Sequence, residues 1–213
     1  MNIDVNSLTA MKKEIAYFMR RLYKRGLTTT SGGNISAMLD GFLLITPSQT
    51  DKGRMKASDI IVFDAKGRNI SKALRPSMET GMHMAIYAAR PDVKAIVHAH
   101  PVAATGFAAS HRLIDCNLIG ESRALIGEPV IAPYRLMGTD DLAAVVAEAC
   151  VASNAVLLAN HGVLTVGNSL LEAFDRMEVL EACARINLIA KMLGGGKPLS
   201  NENLIAIDKL MNP

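Results

Sequence analysis

The chain has 213 residues, half of them apolar, with 23 basic and 20 acidic side chains, a net charge of +3, three cysteines and no tryptophan. This fits one large domain with a sizeable core, read here as residues 1–213, and excludes a strongly basic or aromatic-rich nucleic-acid platform. The odd, widely spaced Cys116, Cys150 and Cys183 exclude a disulfide scaffold or zinc ribbon. No apolar stretch approaches the roughly 20 residues of a membrane span, and Met1–Asn6 lacks the pattern of an export signal, so a cytoplasmic protein is expected.

In chain order, Ser7 is the expected N-cap of a helix from Leu8 to Leu27, with Met11, Ile15, Phe18, Met19 and Leu22 at helical spacing and Gly26 as its stop. The basic cluster Arg20-Arg21 and Lys24-Arg25 reads as its solvated face. A loop rich in Thr, Ser and Gly follows, Thr28 to Gly33. Asn34 to Leu39, Gly41 to Thr46 and Asp59 to Asp64 read as short strands separated by turn residues. Pro76-Ser77 opens a helix to about Ala89. Val93 to His100 is a β-branched, apolar strand closed by Pro101, and Pro101 to His111 is helical. Pro129 to Tyr134 is extended. Thr139-Asp140-Asp141 caps a helix to about Ser153, with acidic residues that suit the helix dipole. Ala155 to Ala159 and Val163 to Val166 flank the turn Asn160-His161-Gly162. Ser169 to Leu193 is a long helix stopped by Gly194-Gly195-Gly196. Short strands with helices before, between and after predict a mostly antiparallel sheet covered by helices.

Five histidines are present, and three follow or end apolar strands. Side chains alternate across a strand, so His98 and His100 point to one side and can grip a transition metal. The plainer alternative for the pair read alone is two ordinary polar residues at a strand edge. His161 alone is a turn residue. Three imidazoles around zinc leave an open position, the arrangement of a catalytic centre, and call for a nearby carboxylate. Glu79, at the start of a helix after Pro76-Ser77, is the candidate; the plainer reading is a carboxylate complementing the helix dipole. Ser31-Gly32-Gly33-Asn34 is a candidate anion cradle, with Thr46-Pro47-Ser48-Gln49 adding a hydroxyl. His83, four residues past Glu79, reads as a structural partner on one helix face, and His111 as a surface residue. Met55, Met78, Met82 and Met84 read as packing residues. Lys94 is the lysine with the most apolar surroundings in sequence, which gives Schiff-base chemistry little support.

The segments Ser31-Gly32-Gly33-Asn34-Ile35-Ser36, Ile45-Thr46-Pro47-Ser48, Arg75-Pro76-Ser77-Met78-Glu79, Val97-His98-Ala99-His100-Pro101, Ala132-Pro133-Tyr134 with Gly138-Thr139, and Leu158-Ala159-Asn160-His161-Gly162 occur in this order. In them the chain resembles the class II aldolase/adducin family, and within it the L-fuculose-phosphate aldolase-like enzymes. The resemblance spans nearly the whole chain. It implies an α/β fold of three layers, a central, mainly antiparallel sheet covered by helices on both faces, in a homotetramer with inter-subunit active sites. It implies a zinc ion (or another divalent metal) on His98, His100 and His161, with Glu79 as acid/base and as a further ligand when no substrate is bound. Asn34, Ser48 and Ser77 match positions that hold a sugar phosphate. The implied reaction is cleavage of a ketose 1-phosphate to dihydroxyacetone phosphate and an aldehyde. Sister reactions on such a site are sugar-phosphate epimerisation, dehydration and decarboxylation; adducin-like members are non-catalytic modules without the histidines. Three departures bear on the substrate. Gln49 stands where the pattern has glycine, and Met78 where it has a hydroxyl. The stretch Asn117–Arg123 lacks the family's tyrosine acid, leaving Glu121 or Arg123 as stand-ins.

Overall fold

The computed structural model describes residues 4–71 and 74–211. Residues 1–3 of the segment Met1–Asn6 lie outside them. Helix α1 (Val5–Lys24) is capped by Asp4, whose carboxylate accepts the Ser7 N–H at 2.9 Å. The cap is therefore not Ser7. A carboxylate three residues earlier meets the free N–H groups of the first turn, and Ser7 donates its hydroxyl to it instead. Ile15, Ala16, Phe18, Met19 and Leu22 form the buried stripe of α1.

The chain continues through β1 (Asn34–Leu39), β2 (Phe42–Ile45), β3 (Ile61–Phe63), α2 (Thr80–Ala89), β4 (Ala95–Ala99) and α3 (Val102–Ala109). Then come α4 (Gly120–Ile126), β5 (Val130–Ala132), α5 (Asp140–Ala152), β6 (Ala155–Leu158), β7 (Gly162–Gly167), α6 (Leu170–Met192) and α7 (Asn201–Met211). Two helices, α4 and α7, are absent from the sequence reading. α4 is two turns long and its N-cap position, Ile119, offers no side-chain acceptor. α7 buries none of its residues and follows the Gly194-Gly195-Gly196 stop, which reads as the end of the last helix.

The strands form one sheet in the order β3-β2-β1-β4-β7-β6-β5. Every neighbouring pair is antiparallel except β5–β6. On one face Ile35, Ala37, Val97, Ala99, Leu157 and Val163 pack with Phe18 and Leu22 of α1, Ala104 of α3, and Phe174 and Leu180 of α6. On the other, Ile96, Val156, Leu158, Leu164 and Val166 pack with Met82 and Ile86 of α2 and Leu142, Val146 and Cys150 of α5. The three-layer, mainly antiparallel architecture expected from the sequence is the one found. Among the described residues no helix is long and apolar enough to cross a membrane.

The alternation of β4 positions the functional residues. Val97 and Ala99 face α1, α3 and α6, so Ile96 and His98 face the α2 side. Register sets Asn34 of β1 opposite His98 and Ser36 opposite Ile96. Asn34 and Ser36 therefore share the α2 face with His98. Polar side chains at the centre of a sheet are costly unless bonded; Asn34 and Ser36 find partners, and so does one ring nitrogen of His98.

Candidate active site

His98, on central strand β4, is fully buried. His100 follows just past the strand, and His161 sits in the turn between β6 and β7. Their rings lie 4.9 Å (His98–His100), 4.8 Å (His98–His161) and 5.5 Å (His100–His161) apart. One nitrogen from each lies within 4.8 Å of the others, a spacing that suits one shared metal ion. His98 Nδ1 donates to the Val163 carbonyl at 2.9 Å. That bond fixes the tautomer and leaves the Nε2 lone pair facing the centre. His98 Nε2 and His161 Nδ1 are buried and have no hydrogen-bond partner. Buried polar atoms are rarely left so. Three convergent imidazoles, two of them with an unpartnered buried nitrogen, are the donor set of a borderline-soft divalent cation such as zinc.

Local backbone explains why these rings meet. Asn160 takes φ +54°, a conformation that Asn tolerates well, and its Oδ1 accepts from His111 Nε2 at 2.6 Å. The exposed His111 thus braces the turn that presents His161. Gly162 allows close packing: a Cβ there would overlap the His100 ring and lie 2.7 Å from the Ala99 carbonyl oxygen. Gly33 combines φ +67° with a Cβ position 2.7 Å from the His98 carbonyl oxygen. At least part of what reads in sequence as an anion cradle is therefore clearance for β4.

Glu79 stands at the N-cap of α2 rather than in its first turn, and its side chain caps nothing. The carboxylate turns to the histidines: Oε2 lies 3.3 Å from His98 Nε2 and Oε1 lies 3.1 Å from His161 Nε2. Oε1 makes no hydrogen bond, whereas Oε2 accepts from Asn34 Nδ2 at 2.7 Å. Burial alone raises the pKa of this carboxyl, but His98, His161 and the Asn34 bond outweigh it and hold the group well below the usual carboxylate range. Glu79 is ionised at neutral pH. Burial pushes His98 down, and His100 down to about 4, so both rings are neutral and available as ligands.

Two loops approach this centre. A bridge between Pro47 and Pro76, with Ser48 N–H donating to the Arg75 carbonyl at 2.9 Å, sets the Ser48 loop beside the Ser77 loop. Ser77 Oγ accepts from Asn34 Nδ2 at 3.1 Å and from the Glu79 N–H at 3.3 Å. Gln49 takes φ +52°; the backbone keeps a glycine-like conformation although the residue is not glycine. Such strain is typical of ligand-gripping loops. Thr46 is buried, its Oγ1 accepting the Ile35 N–H. Met78 is 59% exposed and so is not a packing residue, unlike Met55 and Met82. Asn34 is buried and its amide is fully engaged: by Glu79 and Ser77 through nitrogen, and by His83 through oxygen at 2.5 Å.

Several residues escape the sequence reading. His83 bonds Asn34 and Ser36, not Glu79, because its helix turns it toward the sheet. Lys94 is exposed, with Nζ on the Pro91 carbonyl. The buried lysine is Lys52, 1% exposed, whose Nζ donates to the Pro47 carbonyl at 2.6 Å and whose N–H donates to the Thr30 carbonyl at 2.9 Å. Burial pulls its pKa down to about 8. Lys52 ties the Thr28–Gly33 loop to the Pro47–Ser48 loop, and no apolar neighbours in sequence announce it. Arg123 is held by Asp208 at 2.6 and 2.8 Å, with Asn117 and Glu128 on its other nitrogen. Asp208 raises its pKa above that of an ordinary arginine. Glu121 is exposed on α4.

The chain is 33% identical over 197 residues to a 5-deoxy-D-ribulose 1-phosphate aldolase of Bacillus thuringiensis, covering 91% of each chain. It is 33% identical over 182 residues to a 3-oxo-tetronate 4-phosphate decarboxylase of Haemophilus influenzae, covering 83% of this chain and 86% of that one. A solved L-fuculose 1-phosphate aldolase superposes with a TM-score of 0.87 at 34% identity, covering 96% of this chain and 97% of that one. The family model described as Class II Aldolase and Adducin N-terminal domain matches residues 13–188. The chain belongs to the class II aldolase and adducin family.

Proposed function

We propose that this protein is a zinc-dependent aldolase that cleaves a ketose 1-phosphate of the fuculose-phosphate type into dihydroxyacetone phosphate and an aldehyde. The observation that carries this reading is the convergence of His98, His100 and His161 on one point, with the ionised Glu79 within 3.3 Å of two of them. The three imidazoles hold the ion, with Glu79 Oε1 as a further donor when no substrate is present. When bound, a zinc ion supplies Lewis acidity toward a carbonyl oxygen. Glu79 moves the proton on the carbon beside that carbonyl. In the condensation direction its carboxylate accepts this proton, the electron pair left on carbon forms the new bond to the aldehyde carbon, and the carbonyl π pair moves onto the aldehyde oxygen, which takes a proton from water. In cleavage it returns the proton. The Asn34, Ser48 and Ser77 side chains and the strained Gln49 backbone bind the phosphate, and Asn34 also orients Glu79 and Ser77 through its amide. The protein works in the cytoplasm as a homotetramer with active sites between subunits.

A second reading keeps the site and changes the bond broken. The similarity to a 3-oxo-tetronate 4-phosphate decarboxylase, together with Met78 and Gln49 at the phosphate loops and the absence of a tyrosine from 117–123, supports loss of carbon dioxide from a 3-oxo sugar-acid phosphate. Epimerisation and dehydration of sugar phosphates stand behind it. The test is zinc-loaded protein offered dihydroxyacetone phosphate with a panel of aldehydes, and separately 3-oxo acid phosphates, with products resolved by mass. Condensation products support the aldolase; carbon dioxide release without condensation replaces it with the decarboxylase. Failure to take up zinc at all would favour a non-catalytic adducin-like module.

A further inference from the structure

Behind Glu79 a file of hydrogen bonds runs into the protein between β1 and α2. Asn34 Nδ2 donates to Glu79 Oε2, His83 Nε2 meets Asn34 Oδ1 at 2.5 Å, His83 Nδ1 meets Ser36 Oγ at 2.6 Å, and Ser36 Oγ meets the Tyr87 hydroxyl at 2.8 Å. His83 and Ser36 are completely buried and Asn34 is 3% exposed. The direction of each bond follows from its neighbour. A carboxylate only accepts, so Asn34 turns its NH2 group to Glu79, and the second amide hydrogen reaches Ser77 Oγ. The amide oxygen is then left facing His83. An amide oxygen also only accepts, so His83 carries its hydrogen on Nε2. The uncharged ring presents a bare Nδ1, which takes the Ser36 hydroxyl hydrogen, and Ser36 in turn accepts from Tyr87.

The amide has a second, wrong orientation. Rotated by half a turn, Asn34 would set Oδ1 against the Glu79 carboxylate and its NH2 group against the His83 N–H. In a buried network each mismatch is expensive, because no water relieves it. An apolar residue at position 83 would remove one of the contacts that oppose that flip and leave Oδ1 without a partner among the described residues, so that only Glu79 and Ser77 still orient the amide. We propose that His83 is a positioning residue: it locks the Asn34 amide with its nitrogen toward Glu79 and so holds the carboxylate in its working orientation. The proposal rests on the reading of Glu79 as the group that moves the proton.

The test uses zinc-loaded His83→Leu, His83→Gln, Asn34→Leu and the double variant with leucine at both positions. Glutamine places an amide nitrogen where His83 Nε2 stands and can still donate to Asn34; leucine cannot. His83→Leu should lower kcat by about 10–100-fold, the range for residues that orient a reacting group's partner, with zinc content and KM within about 2-fold. His83→Gln should restore most of kcat. In the Asn34→Leu background, His83→Leu should add no further loss, because its effect passes through Asn34. Equal impairment by Leu and Gln, or additive losses in the double variant, would overturn the proposal in favour of a packing role. Imidazole nitrogen-15 shifts of the wild type provide a readout independent of turnover. The Nε2–H form of His83 is expected, and the Nδ1–H form refutes the lock even if the protein proves inactive on every substrate and the aldolase reading fails.

Discussion

Replacing Glu79 with glutamine separates proton transfer from metal binding. Gln has nearly the same volume and keeps one oxygen, which can accept from Asn34 Nδ2 as Oε2 does now at 2.7 Å. Its NH2 group falls where Oε1 stands without a hydrogen-bond partner. The fold and the three imidazoles are therefore retained, and zinc content should stay near one ion per chain. What disappears is the basic oxygen. A positioned general acid/base contributes roughly 10²–10⁴-fold to rate, equivalent to about 3–5 kcal/mol of barrier, so kcat of Glu79→Gln should fall by that factor with KM little changed. A coupled assay of dihydroxyacetone phosphate release, run beside metal analysis of the same preparation, reads both quantities. Turnover within about 3-fold of wild type, with zinc bound, would refute the role of Glu79. Loss of zinc along with activity would reassign it from proton transfer to holding the ion.

Three further outcomes follow from particular contacts. Gly162→Ala forces a Cβ into the His100 ring and against the Ala99 carbonyl; zinc affinity should drop about 10–100-fold, and an unchanged value in competition with a chelating dye would contradict the close packing. Lys52→Met should change how stability depends on alkaline pH. The folded pKa near 8 lies below the ordinary 10.5, so the unfolded chain binds more protons between those values and the wild type gains stability as pH rises through them, on the order of 3 kcal/mol in total. That gain is lost as pH falls to about 8. Urea unfolding across this window should rise for the wild type and stay flatter for the variant; parallel curves would show that Lys52 is not the titrating group. Arg123→Ala removes the paired bonds to Asp208 of α7. With side chains 15% and 45% exposed, the global cost should be about 1 kcal/mol or less, yet cleavage within α7 by added protease should speed up. Unchanged cleavage would mean that other contacts hold the C-terminal helix.

Much of the site is legible in the sequence because periodicity carries direction. The alternation of β4 alone places His98 and His100 on one side, and the apolar run before Asn160 places His161 at a strand's end. The start of a helix after Pro76-Ser77 marks Glu79. Element boundaries fall within a few residues for the same reason: apolar stripes and caps are local. Where local signals are weak, as at the two-turn α4 and the exposed α7, no element is read. The N-cap of α1 is misplaced because Asp4 and Ser7 are both good acceptors, and only the geometry of the first turn chooses between them.

The chain by itself determined a mostly antiparallel sheet covered by helices and the residue types that can bind a metal; the three layers, with helices on both faces, follow from the family resemblance. Tertiary structure alone decided that β4 lies between β1 and β7. That strand order brings Asn34 and His161 to His98 from far along the chain, and periodicity holds no information about such distant neighbours. The same packing turned the Glu79 carboxylate away from its own helix, gave His83 to Asn34, and buried Lys52 against the Pro47 carbonyl. A side chain's partners depend on which surfaces meet, and that is settled only when the whole sheet closes against its helices.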